Sequence, residues 1–205
     1  MKNNIRYYMQ NKIILVGGYC ATGKSVFSNK LSDFLNIPCF NKDVIKEVLG
    51  DGFGSENNMV ELKGSSATFL IMLHIAEKIL QANNICILES NFKQKEMEQI
   101  KILLEKYNCE CLTFIFKGDF KTLFNRYMER DVLEKRHWVH NTAGENSDNF
   151  EEGHLQFGIG ETGIGKTIIR DATRFENIDY NELYNIAKEF VNKGLSSTLY
   201  KGTKT

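Results

Sequence analysis

The sequence predicts an α/β fold in which a parallel sheet of five strands is covered by helices on both faces. Two observations carry this. Short apolar, β-branched runs alternate along the chain with segments whose apolar residues recur at helical spacing. A glycine-rich octapeptide also sits at the junction of the first such strand with the first such helix.

Ile13-Ile14-Leu15-Val16 reads as the first strand, and Phe27, Leu31 and Phe34 mark a helix over 26–35 that Asn36 ends. Ile37-Pro38-Cys39-Phe40 reads as a second strand. Val44, Ile45, Val48 and Leu49 form the apolar side of the next helix, followed by a flexible loop over 50–55. Ser65 or Ser66 is positioned to cap a long helix through Phe69, Leu73, Ala76 and Leu80. Ile85-Cys86-Ile87-Leu88 reads as a fully buried strand. Met97, Ile100, Leu103 and Leu104 mark another helix, Leu112–Phe116 a fourth strand, 120–135 a charged helix, 167–169 a fifth strand and 180–192 a final helix.

The chain has 205 residues, enough for one substantial core, and no Pro/Ser-rich linker divides it, so a single domain over 1–205 is expected. The long Gly/Asn/Glu-rich stretch at 141–165 is the candidate lid, its insertion running over about 130–165. Lysine plus arginine and aspartate plus glutamate both number 26, a balance that gives no overall pull toward long nucleic acid or an anionic membrane. No apolar run approaches the roughly 20 residues of a bilayer span. Five cysteines without a CxxC pair argue for reduced thiols and a cytoplasmic location.

Gly18-Tyr19-Cys20-Ala21-Thr22-Gly23-Lys24-Ser25 fits GxxxxGK[ST], and Val26 opens the helix behind it. Glycines let the backbone approach closely enough for successive N–H groups to surround phosphate oxygens, and the positive helix end adds attraction. Lys24 is expected to reach the β- and γ-phosphates and Ser25 to ligate Mg²⁺, so ATP and Mg²⁺ are the implied cofactors. The pattern recurs at Gly160-Glu161-Thr162-Gly163-Ile164-Gly165-Lys166-Thr167. That match follows a poor strand and precedes the strand-like Ile168-Ile169, where a phosphate loop requires a helix, so it reads as a flexible return from the lid.

Phosphoryl transfer is mostly positioning and charge stabilisation, so the remaining candidates should lie near carboxyl ends of strands. Asp43, just after the second strand, can orient an attacking hydroxyl; a carboxylate favoured in a first helical turn is the alternative. Glu89 ends the third strand and falls beside the phosphate loop if strands one and three are neighbours, where it can hold a Mg²⁺-bound water or a substrate hydroxyl, or simply cap. Ser90 and Asn91 continue into the same crevice as weak substrate candidates, with Lys42 and Lys46, whose commoner role is solvated charge. Arg126 and Arg130 share a helix face, so both can point at one anion or pair with glutamates on a surface helix. Arg136, His137, Trp138 and His140 stand at the edge of the candidate lid, where they can close over nucleotide or acceptor; two histidines three apart can also bind a metal, for which the sequence offers no third ligand.

In the order GGYCATGKS, FNKDVIKEVL, ICILESNF, FNRYMERDVLEKRHWVH and TIIRDAT with IDYNEL, the chain resembles the P-loop kinase-like ATP-binding proteins. These are relatives of chloramphenicol phosphotransferase, the zeta-toxin kinases and the polynucleotide 5′-kinase domain. The resemblance spans nearly the whole chain. It implies strands in adenylate-kinase-like order, a mobile lid, Asp43 as base, Arg126 and Arg130 as phosphate clamps, and transfer of a γ-phosphoryl to a hydroxyl. Such relatives often carry Arg flanking the aspartate and Asp ending the third strand, where this chain has Lys42, Lys46 and Glu89; lysine lacks arginine's bidentate fork. A small-molecule hydroxyl acceptor is the leading reading. A nucleotide or nucleic-acid 5′-end kinase and an ATP-binding regulatory module with slow hydrolysis are the alternatives.

Overall fold

A computed structural model describes residues 11–55, 59–134, 136–140, 146–155 and 163–193, with the side chains at 59–63 and 131–132 outside that description. Five strands form one sheet: β1 (Lys12–Gly18), β2 (Cys39–Asn41), β3 (Ile85–Glu89), β4 (Glu110–Lys117) and β5 (Lys166–Asp171). The helices are α1 (Lys24–Leu35), α2 (Lys42–Phe53), α3 (Met59–Gln81), α4 (Gln94–Lys106), α5 (Phe120–Leu133), α6 (Ser147–Leu155) and α7 (Tyr180–Asn192).

The strand order is β2-β3-β1-β4-β5, and all four pairings are parallel. This is the adenylate-kinase-like order of a three-layer P-loop fold. It makes β1 central and puts β3 directly beside it, so that Val16 pairs with Glu89 in the register of the two strands. The three inner strands, β3, β1 and β4, are buried on both sides. Ile13 and Leu15 face a layer built on Phe69, Met72, Ala76 and Ile100 of α3 and α4. Ile14 and Val16 face Phe27 and Leu31 of α1 and Leu183 of α7. That two-sided burial explains why β1, β3 and β4 read as continuous apolar runs rather than alternating ones.

Some expectations shift. The second strand begins at Cys39 rather than Ile37, because Pro38 has no N–H for the ladder and contributes only its carbonyl, which accepts from the Ile87 amide at 2.9 Å. The loop expected over 50–55 is helical through Phe53. Gly50 is retained inside that helix because a β-carbon there would lie 2.5 Å from the Val139 side chain, which the turn Trp138–His140 packs against it. Ser65 and Ser66 do not cap α3, which already runs from Met59; Thr68 instead donates back to the Gly64 carbonyl at 2.8 Å. The charged helix ends at Leu133, two residues before the expected boundary. Within the candidate lid, α6 is a helix, while 141–145 and 156–162 lie outside the described residues.

Candidate functional site: the crevice at the carboxyl end of the sheet

The turn leaving β1 needs glycine for two reasons. Gly18 has φ 124°, and a β-carbon on it would lie 1.9 Å from the Phe116 carbonyl oxygen. The loop can therefore lie down on β4, and the next amide, Tyr19 N–H, donates to that same oxygen at 2.9 Å. Ala21 (φ 56°) and Gly23 (φ 76°) both adopt left-handed conformations, producing the concave run of amides that suits an anion. Gly23 also takes the N-cap position of α1, and among the described residues no side chain caps the first-turn donors that face the loop. Thr22 is buried and ties the loop from inside, its hydroxyl donating to the Tyr19 carbonyl at 2.8 Å.

Around this loop the predicted residues fall as follows. The Ser25 hydroxyl donates to a Glu89 carboxylate oxygen at 3.0 Å, and the Asn41 side-chain amide donates to the same oxygen. Burial pushes the Glu89 carboxyl up to about 7, and the Asp43 charge adds to the rise; Lys24, the Ser25 hydroxyl and Arg130 oppose it. Asn41 caps α2, its side-chain oxygen accepting from the amides of Asp43 at 2.8 Å and Val44 at 3.2 Å. That cap fixes the first turn of α2 and with it the exposed Asp43 side chain. Lys24 is buried and its ammonium donates to the Tyr19 carbonyl at 3.0 Å.

Ser25, Asn41, Asp43 and Arg130 line one cavity of about 480 Å³, whose outer wall carries His137 and His140. Those histidines contact Asp51 at 3.0 Å and Glu47 at 2.9 Å, so they clasp the outside of α2. Among the described residues no group of three His, Cys, Asp or Glu side chains is placed to hold a metal. A second, polar cavity of about 210 Å³ opens on the other side of Asp43, between Lys42, Lys46, Thr68, Ser90 and Asn91.

Lys42 does not sit on a solvated face: it is buried in an ion pair with Glu96 at 2.5 Å. Lys46 donates to the Val139 carbonyl at 2.7 Å, and the Asn91 amide reaches back to the Cys20 sulfur at 3.2 Å. The two arginines are not brought together. Arg126 donates to the carbonyls of Ala172 at 2.7 Å and Thr173 at 2.6 Å and lies 4.1 Å over the Phe175 ring. It thus fixes the turn after β5 against the loop, where Phe175 also packs on Gly23. Arg130 stays in the crevice; its Nε has no hydrogen-bond partner among the described residues and lies 3.9 Å from Glu134.

The second GxxxxGKT match lies at the other end of the molecule. Lys166 is the first residue of β5 and pairs with Leu112, near the amino end of β4, while Gly160 to Thr162 lie outside the described residues. Gly163 and Gly165 are required by packing: a β-carbon on Gly165 would lie 2.1 Å from the Cys111 carbonyl oxygen, and one on Gly163 would meet Thr113 at 2.8 Å. The turn is held there by the Thr113 hydroxyl, which donates to the Ile164 carbonyl at 2.7 Å. A larger cavity, about 820 Å³, opens at this amino end and shares no residue with the phosphate loop. Ligands of parallel α/β sheets bind beyond the carboxyl ends of the strands, which favours the smaller cavity at Ser25.

Asn41 and His154 were not singled out from the sequence. An Asn two residues before an acidic first turn is an N-cap signal that was legible. His154, which meets the loop from α6, carries none.

No protein-family model and no curated protein matches the chain. Solved structures do. A candidate kinase from Chloroflexus aurantiacus superposes with TM-score 0.76 at 25% identity over 88% of this chain and 98% of its own. Kti12 of Chaetomium thermophilum, solved in complex with ADP-AlF3, gives TM-score 0.60 at 13% identity over 87% of this chain and 98% of its own. Shikimate kinase from Bacteroides thetaiotaomicron gives TM-score 0.53 at 14% identity over 88% and 98%. Among the described residues no helix is long and apolar enough to cross a membrane. The chain has the five-stranded parallel fold of the P-loop kinases it is similar to.

Proposed function

We propose that this chain is an ATP-dependent phosphotransferase that moves the γ-phosphoryl of Mg-ATP to a hydroxyl of a small-molecule acceptor. The observation that carries the reading is the single cavity shared by Ser25 of the loop, Asp43 and Arg130. The amides from Gly18 to Val26 and the Lys24 ammonium bind the phosphates. The acceptor oxygen attacks the γ-phosphorus, the bond to the bridging oxygen breaks with its electron pair leaving on ADP, and the hydroxyl proton passes to Asp43. Arg130 supplies positive charge to the transferring group from across the cavity, and Arg126 holds the turn at 172–175 beside the loop.

Ser25 and Glu89 fit a magnesium ion. Their oxygens lie 3.0 Å apart and both are the hard donors that Mg²⁺ selects, so together they would hold the ion. When bound, the ion neutralises charge on the β- and γ-phosphates. The polar cavity at Lys42, Lys46 and Asn91 adjoins Asp43 and suits the remainder of a small polar acceptor. The insertion over about 130–165 is proposed as a lid within a single cytoplasmic domain, as the resemblance to chloramphenicol phosphotransferase and the zeta-toxin kinases implies.

The test is a screen of hydroxyl acceptors with γ-labelled ATP, using Lys24→Ala as blank and Lys166→Ala as comparator. The expected result is a labelled small product that Lys24→Ala abolishes and Lys166→Ala leaves intact. ATP binding lost equally in both variants, or nucleotide heat with no labelled product from any acceptor class, rejects the assignment.

A further inference from the structure

One amide of the phosphate loop is already taken. The Cys20 N–H donates to Nε2 of His154 at 2.9 Å. On its other side His154 Nδ1 donates to the Phe150 carbonyl, one turn earlier in α6, so the ring is the neutral Nδ1–H tautomer with its lone pair aimed at the loop. The ring is 4% exposed and stands edge-on to Tyr19, with centroids 5.3 Å apart at 86°. It also lies 6.1 Å from Phe120 at the start of α5. Burial pulls its basicity down to about 4, so it stays an acceptor at neutral pH.

The helix carrying it packs on α5 and reaches toward the start of α4. Phe150 is buried against Phe124 and Tyr127 of α5, at 5.5 and 5.2 Å between centroids. Gly153, on the far side, lines a cavity with Phe69 of α3 and Lys93 and Gln94 at the start of α4. The Lys24 ammonium is turned onto the loop's own Tyr19 carbonyl.

A phosphate oxygen and a neutral imidazole nitrogen are both acceptors, and one N–H directed at a buried lone pair cannot serve both. We propose that His154 is an intrinsic plug of the phosphate cradle: α6 seats the imidazole on the Cys20 amide, and a nucleotide's phosphates bind only as α6 lifts it away. This deepens the kinase reading of the same loop and rests on it. The loop is then competent for nucleotide only in the fraction of molecules with α6 released, and the apparent dissociation constant is raised by the inverse of that fraction. Lid motion of this kind would couple nucleotide entry to the insertion rather than to the core.

The test is calorimetric titration of Mg-ADP into wild type, His154→Ala, His154→Gln and Lys24→Ala. A plug held by one hydrogen bond and ring packing should make His154→Ala bind about tenfold more tightly than wild type. His154→Gln, whose side-chain carbonyl can accept the same N–H, should stay within about threefold of wild type. A histidine that merely anchors α6 gives the opposite sign, so equal or weaker binding by His154→Ala overturns the plug. Should that variant fail to fold, hydrogen exchange over 147–155 in wild type decides: Mg-ADP lowers protection if α6 is displaced, and raised or unchanged protection overturns the proposal. Equal Mg-ADP affinity in wild type and His154→Ala rejects the plug and leaves the kinase reading standing. No heat in any variant removes both.

Discussion

The Ser25 hydroxyl and the Glu89 carboxylate meet at 3.0 Å across the gap between the phosphate loop and the end of β3. Strand order makes this possible: β3 pairs directly with β1, and Glu89 stands level with Val16, two residues before the loop turns at Gly18. Glu89→Gln keeps the shape and an acceptor for Ser25 but removes the charge that would stand beside a divalent ion. The Mg²⁺ concentration for half-maximal velocity should rise about 10-fold or more, within the range seen when metal-supporting groups are changed. Activity titrated against Mg²⁺ at fixed ATP checks it, and an unchanged half-point would place the ion elsewhere.

Asp43 owes its position to the Asn41 cap, which binds the Asp43 amide rather than its carboxylate. Asp43→Asn therefore leaves the cap and the helix start intact while removing the base. Turnover should fall about 10²- to 10⁴-fold, the usual contribution of a positioned proton acceptor, with Mg-ADP affinity within about twofold of wild type. Steady-state kinetics beside calorimetry separates the two; a parallel loss of binding would mean that Asp43 acts on the nucleotide instead.

Gly18→Ala and Gly165→Ala form a matched pair at opposite ends of the sheet. Each β-carbon would strike a carbonyl oxygen of β4, at 1.9 Å from Phe116 and 2.1 Å from Cys111, and both glycines have positive φ. Each substitution should destabilise the protein by about 3 kcal/mol or more, read from denaturant melts. Nucleotide affinity distinguishes them, because only Gly18 shapes the phosphate loop. Gly165→Ala, in the molecules that fold, should bind Mg-ADP as wild type does.

The same contrast shows what was legible beforehand. The loop, its flanking strand and helix, and the two-sided burial of the sheet are local patterns, written in glycine spacing and in apolar runs such as Ile85 to Leu88. The position of Glu89 beside the loop is also legible, because it depends only on where a strand ends and which strand is its neighbour. The arginines were harder, since helical spacing puts Arg126 and Arg130 on one face but does not reveal that carbonyls at Ala172 and Thr173 take the first fork. The burial of Lys42 turns on Glu96, 54 residues away. Helix ends depart from composition where tertiary contact overrides it: Gly50 reads as a breaker until Val139 is packed on it. His154 depends wholly on how α6 packs on α5 and meets the loop, and nothing near it in sequence announces that.

That packing has a pH signature. His154 is held neutral in the fold, with its basicity lowered from 6.5 to about 4, first by burial and then by the Lys24 charge, against the opposing Phe150 carbonyl. Above pH 6.5 the released and seated forms both carry neutral histidine, so the seating is at full strength. Between about 6.5 and 4 the released histidine binds a proton that the seated one refuses, and stability drains away as pH falls, by at most about 3 kcal/mol across the window. Below that window both forms are charged and no further loss comes from this group. Wild type should therefore lose more melting temperature between pH 7.5 and 4.5 than His154→Gln, which has nothing to protonate. Parallel losses in the two proteins would show that the imidazole is not buried against the loop in solution, whatever else acid does to the chain.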